Sequence, residues 1–233
     1  MKLKPSTIVI TVVIILFLVF AGLYGFTVVT IEEAEQTVQS EEFDPVAYVD
    51  GIWDSQLMPT FDEEAVDLVE IFSAMQPAAD GTAPKDDLIE VANQYGLITE
   101  GEAHVYMVKG SGKIGSVNAE TSLGTAEVIL DGYNGPVTAL LYIGTRIPSD
   151  NSSVRDAVGF ISFGDFKEQT EYGKAGTEIN KRVLSAILGD LDRENLEGKT
   201  ISFKGALTIR TFNLINIDVT KINIVPVEVE IGE

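Results

Sequence analysis

Apolar and polar positions divide the chain into three stretches with different periods. In the first, no charged residue occurs between Lys4 and Glu32, and residues 8–26 (IVITVVIILFLVFAGLYGF) are almost continuously apolar. A helix rising about 1.5 Å per residue carries that run across roughly 28 Å, close to the hydrocarbon thickness of a bilayer. The pattern predicts one transmembrane helix, with Ile8, Phe17, Phe20 and Phe26 as anchor residues. Lys2 and Lys4 precede it and Glu32, Glu33 and Glu35 follow it, so the N-terminus is expected in the cytoplasm and the rest of the chain outside a cell membrane. The alternative is a cleaved signal peptide, since residues 8–20 fit a signal core and Val19-Phe20-Ala21 resembles a small-residue cleavage site.

The second stretch has helical spacing. Asp44-Pro45 is an N-cap followed by the residue best suited to a first helical turn. A helix from Pro45 brings Val49, Trp53 and Leu57 together at spacings of four, with Gly51 as a weak point and Pro59 as its end. A second helix is predicted over residues 62–75, burying Ala65, Leu68, Val69 and Phe72, and a third over residues 85–95, closed by a left-handed Gly96.

From Ala103 the period falls to two. Residues 103–109 and 113–119 flank Gly110-Ser111-Gly112 and predict a hairpin; residues 125–130 and 137–143 flank a turn with two glycines, completing an antiparallel meander. Residues 154–166 (VRDAVGFISFGDF) have no decisive period. Residues 177–188 read as a helix, and residues 200–212 and 215–231 as strands. Meander, helix and strands in that order predict an extracytoplasmic α+β domain, mainly antiparallel, built on an oligonucleotide/oligosaccharide-binding (OB-like) barrel, with a sandwich as the alternative. The expected organisation is an N-terminal tip and anchor at 1–31, an acidic spacer at 32–43, a helical subdomain at 44–98 and the barrel at 99–233.

Charge narrows the partners. With 36 Asp and Glu against 16 Lys and Arg, the net charge of −20 repels phosphate backbones, which argues against nucleic acid. The absence of cysteine removes disulfides, thiolate metal sites and a cysteine nucleophile. Catalytic spacings fail: Met107 and Ile114 occupy the positions a phosphate loop around Gly112-Lys113 would need, and Phe160 stands where a nucleophile elbow at Ser162 requires glycine. His104 is the single histidine and is expected half in solvent on a strand. Asp190, Asp192 and Glu194 alternate like the start of a calcium loop, but Asn195 and Ile201 break it. No enzyme, cofactor or metal is therefore expected. The candidate ligand contacts are Arg146, Arg155, Asp156, Asp165 and Trp53, charged or aromatic residues near the Phe160, Phe163 and Phe166 cluster or on the first helix.

Residues 27–31 (TVVTI), 48–59 (YVDGIWDSQLMP), 105–112 (VYMVKGSG) and 154–166, continuing through Gln169, Tyr172, Ala175, Asn180 and Val183, carry a resemblance. The chain resembles an uncharacterised family of predicted periplasmic bacterial lipoproteins whose genes often lie beside ribose-type sugar ABC importers. In such lipoproteins a lipid-bearing cysteine precedes the Thr-Val-Val run; Phe26 stands there here, so the resemblance implies a membrane helix in place of the lipid. It also implies a barrel with an N-terminal helical addition and carries over no catalytic residue. The leading expectation is a non-enzymatic accessory or sensing protein partnered with the membrane and with a sugar ABC importer or its substrate-binding protein. Direct binding of a small carbohydrate or anion, with Arg146 and Arg155 as contacts, is the alternative; a carboxylate-dependent hydrolase is third.

Overall fold

A computed structural model describes residues 14–15, 19–20, 43–189 and 191–232. Its compact units are Met1–Phe43 and Asp44–Glu233. No helix among the described residues is long and apolar enough to cross a membrane. The expected single-pass transmembrane helix is corrected accordingly. Of its anchor residues, Phe20 is described, while Ile8, Phe17 and Phe26 lie outside the described residues.

The second unit opens with α1 (Pro45–Ile52), capped by Asp44, whose carboxylate accepts the N–H groups of Val46 and Ala47 at 2.9 and 3.1 Å. Pro59 does not end the helix. A π-helical turn at Trp53–Leu57, with Met58 N–H donating to the Trp53 carbonyl, leads directly into α2 (Met58–Glu64). Proline lacks an N–H and its ring crowds the carbonyl four residues back; the wider turn immediately before it accommodates both. The helix expected over 62–75 is instead interrupted. Ala65 is extended, β1 (Val66–Asp67) pairs in parallel with Val108 and Lys109, and Asp67 caps α3 (Leu68–Met75) through Val69 N–H at 2.8 Å.

The chain then runs through β2 (Thr82–Pro84), α4 (Lys85–Tyr95) and β3 (Leu97–Ile98). Gly96 is extended at φ −152°, not left-handed. Glycine is required there because a Cβ would collide with the Val105 carbonyl and the Tyr106 ring.

The hairpin expected at Gly110-Ser111-Gly112 is one strand, β4 (Ala103–Asn118). Those glycines mark the place where β4 passes from one partner to the next: a Cβ at Gly112 would collide with the Ile129 carbonyl, and one at Gly110 would press on Phe203. The strand pairs antiparallel with β7 (Thr200–Arg210) from Ala103 to Lys113, and with β5 (Thr125–Leu130) from Gly112 onward. β5 pairs with β6 (Thr138–Tyr142), β6 pairs in parallel with β9 (Lys221–Ile231), and β9 pairs with β7. The path β4-β5-β6-β9-β7 returns to β4, which closes a five-stranded barrel, antiparallel as expected except for the parallel β6–β9 pairing that makes the sheet mixed.

Two cores flank the barrel wall. Inward side chains such as Tyr106, Val128, Leu141, Phe203 and Ile224 form one cluster with Leu68, Phe72 and Leu88 of α3 and α4. On the outer side, Val105, Met107, Ala206, Val225 and Val227 pack with Trp53, Leu57 and Phe61, and with α5 (Ser153–Ala157) and α6 (Gln169–Ala186). The undecided 154–166 segment thus forms α5, a left-handed Gly159 and a 3₁₀ turn at Phe163–Asp165. Of its hydrophobic residues, Ile161 is buried and Phe163 is exposed.

Between β7 and β9, the strand expected over 215–231 is divided. β8 (Asn216–Asp218) leaves the barrel and pairs antiparallel with β2, and Lys85 N–H donates to the Ile215 carbonyl at 2.8 Å. The β7–β9 ladder therefore ends at Leu207 and Ile224, and the strands part beyond it.

Candidate functional site

Where those strands part, the barrel wall opens into a cavity of about 520 Å³. Tyr142 from the end of β6, Ser153 from α5, Thr208 and Arg210 from β7, and Lys221 and Asn223 from β9 line it. Beside it runs a groove of about 430 Å³ between Leu97 and Ile98 of β3 and the Gly159–Phe163 segment, with Arg155 and Tyr172 also lining it. Asp156 borders both.

Asp156 is the hub of a closed network. Its Oδ1 accepts from Arg155 Nε at 2.8 Å and from Tyr172 Oη at 2.9 Å, with Arg155 Nη2 at 2.7 Å, and its Oδ2 accepts from Ser152 Oγ at 2.5 Å. Arg155 Nη1 donates to the Tyr172 carbonyl at 3.0 Å while the guanidinium lies 3.5 Å above the Tyr172 ring. Burial and the Asp156 charge push the Tyr172 hydroxyl up to about 12. The polar groups of this pair are taken up within the protein, so it ties α5 to α6.

The other sequence candidates are dispersed. Asp165 accepts Ser162 N–H at 2.9 Å in a capping box and pairs with its own turn, not with Arg155. Trp53 is buried in the outer core, with the Arg182 guanidinium 5.3 Å over its ring and Arg182 paired to Asp50. Arg146 is exposed on the β6–α5 loop and lines neither cavity. Of the acidic alternation, Asp190 lies outside the described residues.

His104 is corrected from half-exposed to buried, at 1% exposure. β4 is an inner strand there, paired with β3 on one side and β7 on the other. Its Nδ1 has no hydrogen-bond partner among the described residues, and burial, with Lys85 nearby, holds its pKa below the ordinary value. The residues that line the mouth are not legible in the sequence, because strand ends far apart along the chain meet there. The polar alternation of Lys221 and Asn223 at the start of the last strand, ahead of its apolar middle, is the one available signal.

Exposed apolar side chains stand on elements that contribute to the two openings. Phe212, Leu214 and Ile215 of the β7–β8 loop are 63%, 47% and 82% exposed, and Leu97, Ile98 and Phe163 stand out along the groove. Thr211 joins these parts, donating from its buried hydroxyl to the Glu102 carbonyl at 2.5 Å.

A closed five-stranded barrel with one parallel pairing and a helix between its third and fourth strands defines an OB-fold protein. A crystal structure of an OB-fold protein from Thermotoga maritima aligns with a TM-score of 0.60 at 18% identity, over 82% of this chain and 100% of that one. The chain belongs to the family described as predicted periplasmic lipoprotein (DUF2291), whose profile matches residues 13–230. No curated protein is significantly similar. A periplasmic location fits the family and replaces the single-pass membrane placement read from hydropathy.

Proposed function

We propose that this chain is a non-enzymatic periplasmic accessory protein that works alongside a sugar ABC importer, docking on the importer's substrate-binding protein. The observation that carries this reading is the cluster of exposed apolar side chains, Phe212, Leu214, Ile215, Leu97, Ile98 and Phe163, around one pair of openings on an otherwise acidic protein. Water-exposed apolar residues gathered in this way mark interaction surfaces, whereas scattered ones do not. The Thr211–Glu102 hydrogen bond ties the start of the loop to the β3–β4 connection beside the groove. The resemblance to proteins encoded beside ribose-type importers supplies the partner class.

Purified wild-type protein is expected to capture the purified substrate-binding protein of a neighbouring importer. A Phe212→Ser/Ile215→Ser variant, folded by circular dichroism, is expected to lose that capture. Deletion of the gene leaving both importer assembly and sugar uptake at wild-type levels would overturn the reading.

A further inference from the structure

We infer that the mouth between the diverging ends of β7 and β9 is a binding site for a neutral, hydroxyl-rich small molecule of sugar size. Leu214 is the one lining residue it shares with the apolar docking patch, and the polar residues that would hold the ligand are not in that patch, so either role can fail without the other.

The cavity exists because β8 is drawn away to β2, which leaves the last residues of β7 and the first of β9 without each other as partners. Its volume of about 520 Å³ falls within the range of small-molecule sites, roughly 300–1,000 Å³. Polar and apolar residues both line it. Tyr142, Ser153, Thr208 and Asn223 provide hydroxyl and amide groups; Ile209 and Ile222 provide apolar surface. A sugar ring presents the matching pair of surfaces, hydroxyls at its edge and C–H groups on its faces.

Hydrogen-bonding capacity remains in the polar wall. Ser153 Oγ and Thr208 Oγ1 lie 2.7 Å apart in one hydrogen bond, and each hydroxyl offers one donor and two acceptor sites. Asn223 stands exposed on β9, and an amide presents donor and acceptor side by side, as adjacent ring hydroxyls do.

Charge selects against ions. Arg210 is paired with Asp150 at 3.0 Å, and Lys221 is offset by Asp218, whose carboxyl is held low chiefly by Thr220 and also by Lys221. Asp156 is committed to Arg155, Tyr172 and Ser152. Three of the five charged lining residues, Asp150, Asp156 and Arg210, are thus held in ion pairs and offer an ionic ligand little free charge.

Isothermal titration of the full chain against D-ribose, D-xylose, D-glucose, D-galactose and myo-inositol tests the assignment, with phosphate and sulfate as anionic controls. At least one neutral compound is expected to give saturable heat. Asn223→Leu and Thr208→Val should each weaken it about tenfold, the equivalent of one lost hydrogen bond. Arg146→Ala, outside the mouth, and the docking variant Phe212→Ser/Ile215→Ser should leave it unchanged. Melting curves matching wild type establish that the variants are folded. A silent panel, saturation by phosphate or sulfate instead, or heats unaltered in both mouth variants would overturn the assignment without bearing on docking.

Discussion

Asp156 shows how one side chain fixes the role of its neighbours. Its side chain is 13% exposed and that of Arg155 is 11%, so each neutralises a charge the other has taken out of water. Removing one partner strands the other: Arg155→Met is expected to cost about 3–5 kcal/mol in urea denaturation. The double variant Arg155→Met/Asp156→Leu should cost less than Arg155→Met alone, because it leaves no stranded charge. His104 sets a different dependence. Its pKa in the folded protein lies below the ordinary 6.5, so as the pH falls the unfolded chain takes up the proton first. The protonation-linked cost of burying it neutral is therefore absent above about pH 6.5 and grows as the pH drops below that value. Denaturation at pH 7.5, 6.5 and 5.5 should show wild type losing stability relative to His104→Leu over the lower interval.

At the level of elements, two glycines with similar sequence settings behave in opposite ways. Gly51 sits inside α1 with nothing within 4 Å of the place an added Cβ would occupy, so Gly51→Ala is expected to stabilise the protein by roughly 0.5–1 kcal/mol. Gly112 sits inside β4 against the Ile129 backbone, so Gly112→Ala should destabilise it by about 1–3 kcal/mol. Thermal melts of the two variants separate a residue kept despite its conformational freedom from one kept for close approach. The same distinction explains why Gly110-Ser111-Gly112 reads as a turn: local pattern registers glycine as chain reversal, whereas β5 and β7 on the two edges of β4 keep the chain extended. Pro59 is the helical counterpart, a stop by local pattern that a π turn accommodates.

For the molecule as a whole, the net charge of −20 is a repulsion that folding concentrates. Raising NaCl from 10 mM to 1 M shortens the screening length from about 30 Å to about 3 Å. The melting temperature is expected to rise over that interval, and a fall would mean that the exposed ion pairs, such as Lys204 with Asp62 at 2.6 Å, outweigh the general repulsion. The two openings and the apolar rim also belong to this scale, since α5, β3, β7 and β9 all contribute to them.

The order of most elements, the cap at Asp44 and an OB-like class can be read from the chain before it folds, because capping and periodicity act over a few residues. So can the disfavour toward phosphate-rich partners, since charge is additive. That β6 and β9 run parallel, that β8 departs to β2, and that Arg155 is consumed by Asp156 emerge only in three dimensions. Each of those outcomes depends on a choice among partners, where competition between possible pairings, not local preference, selects the arrangement.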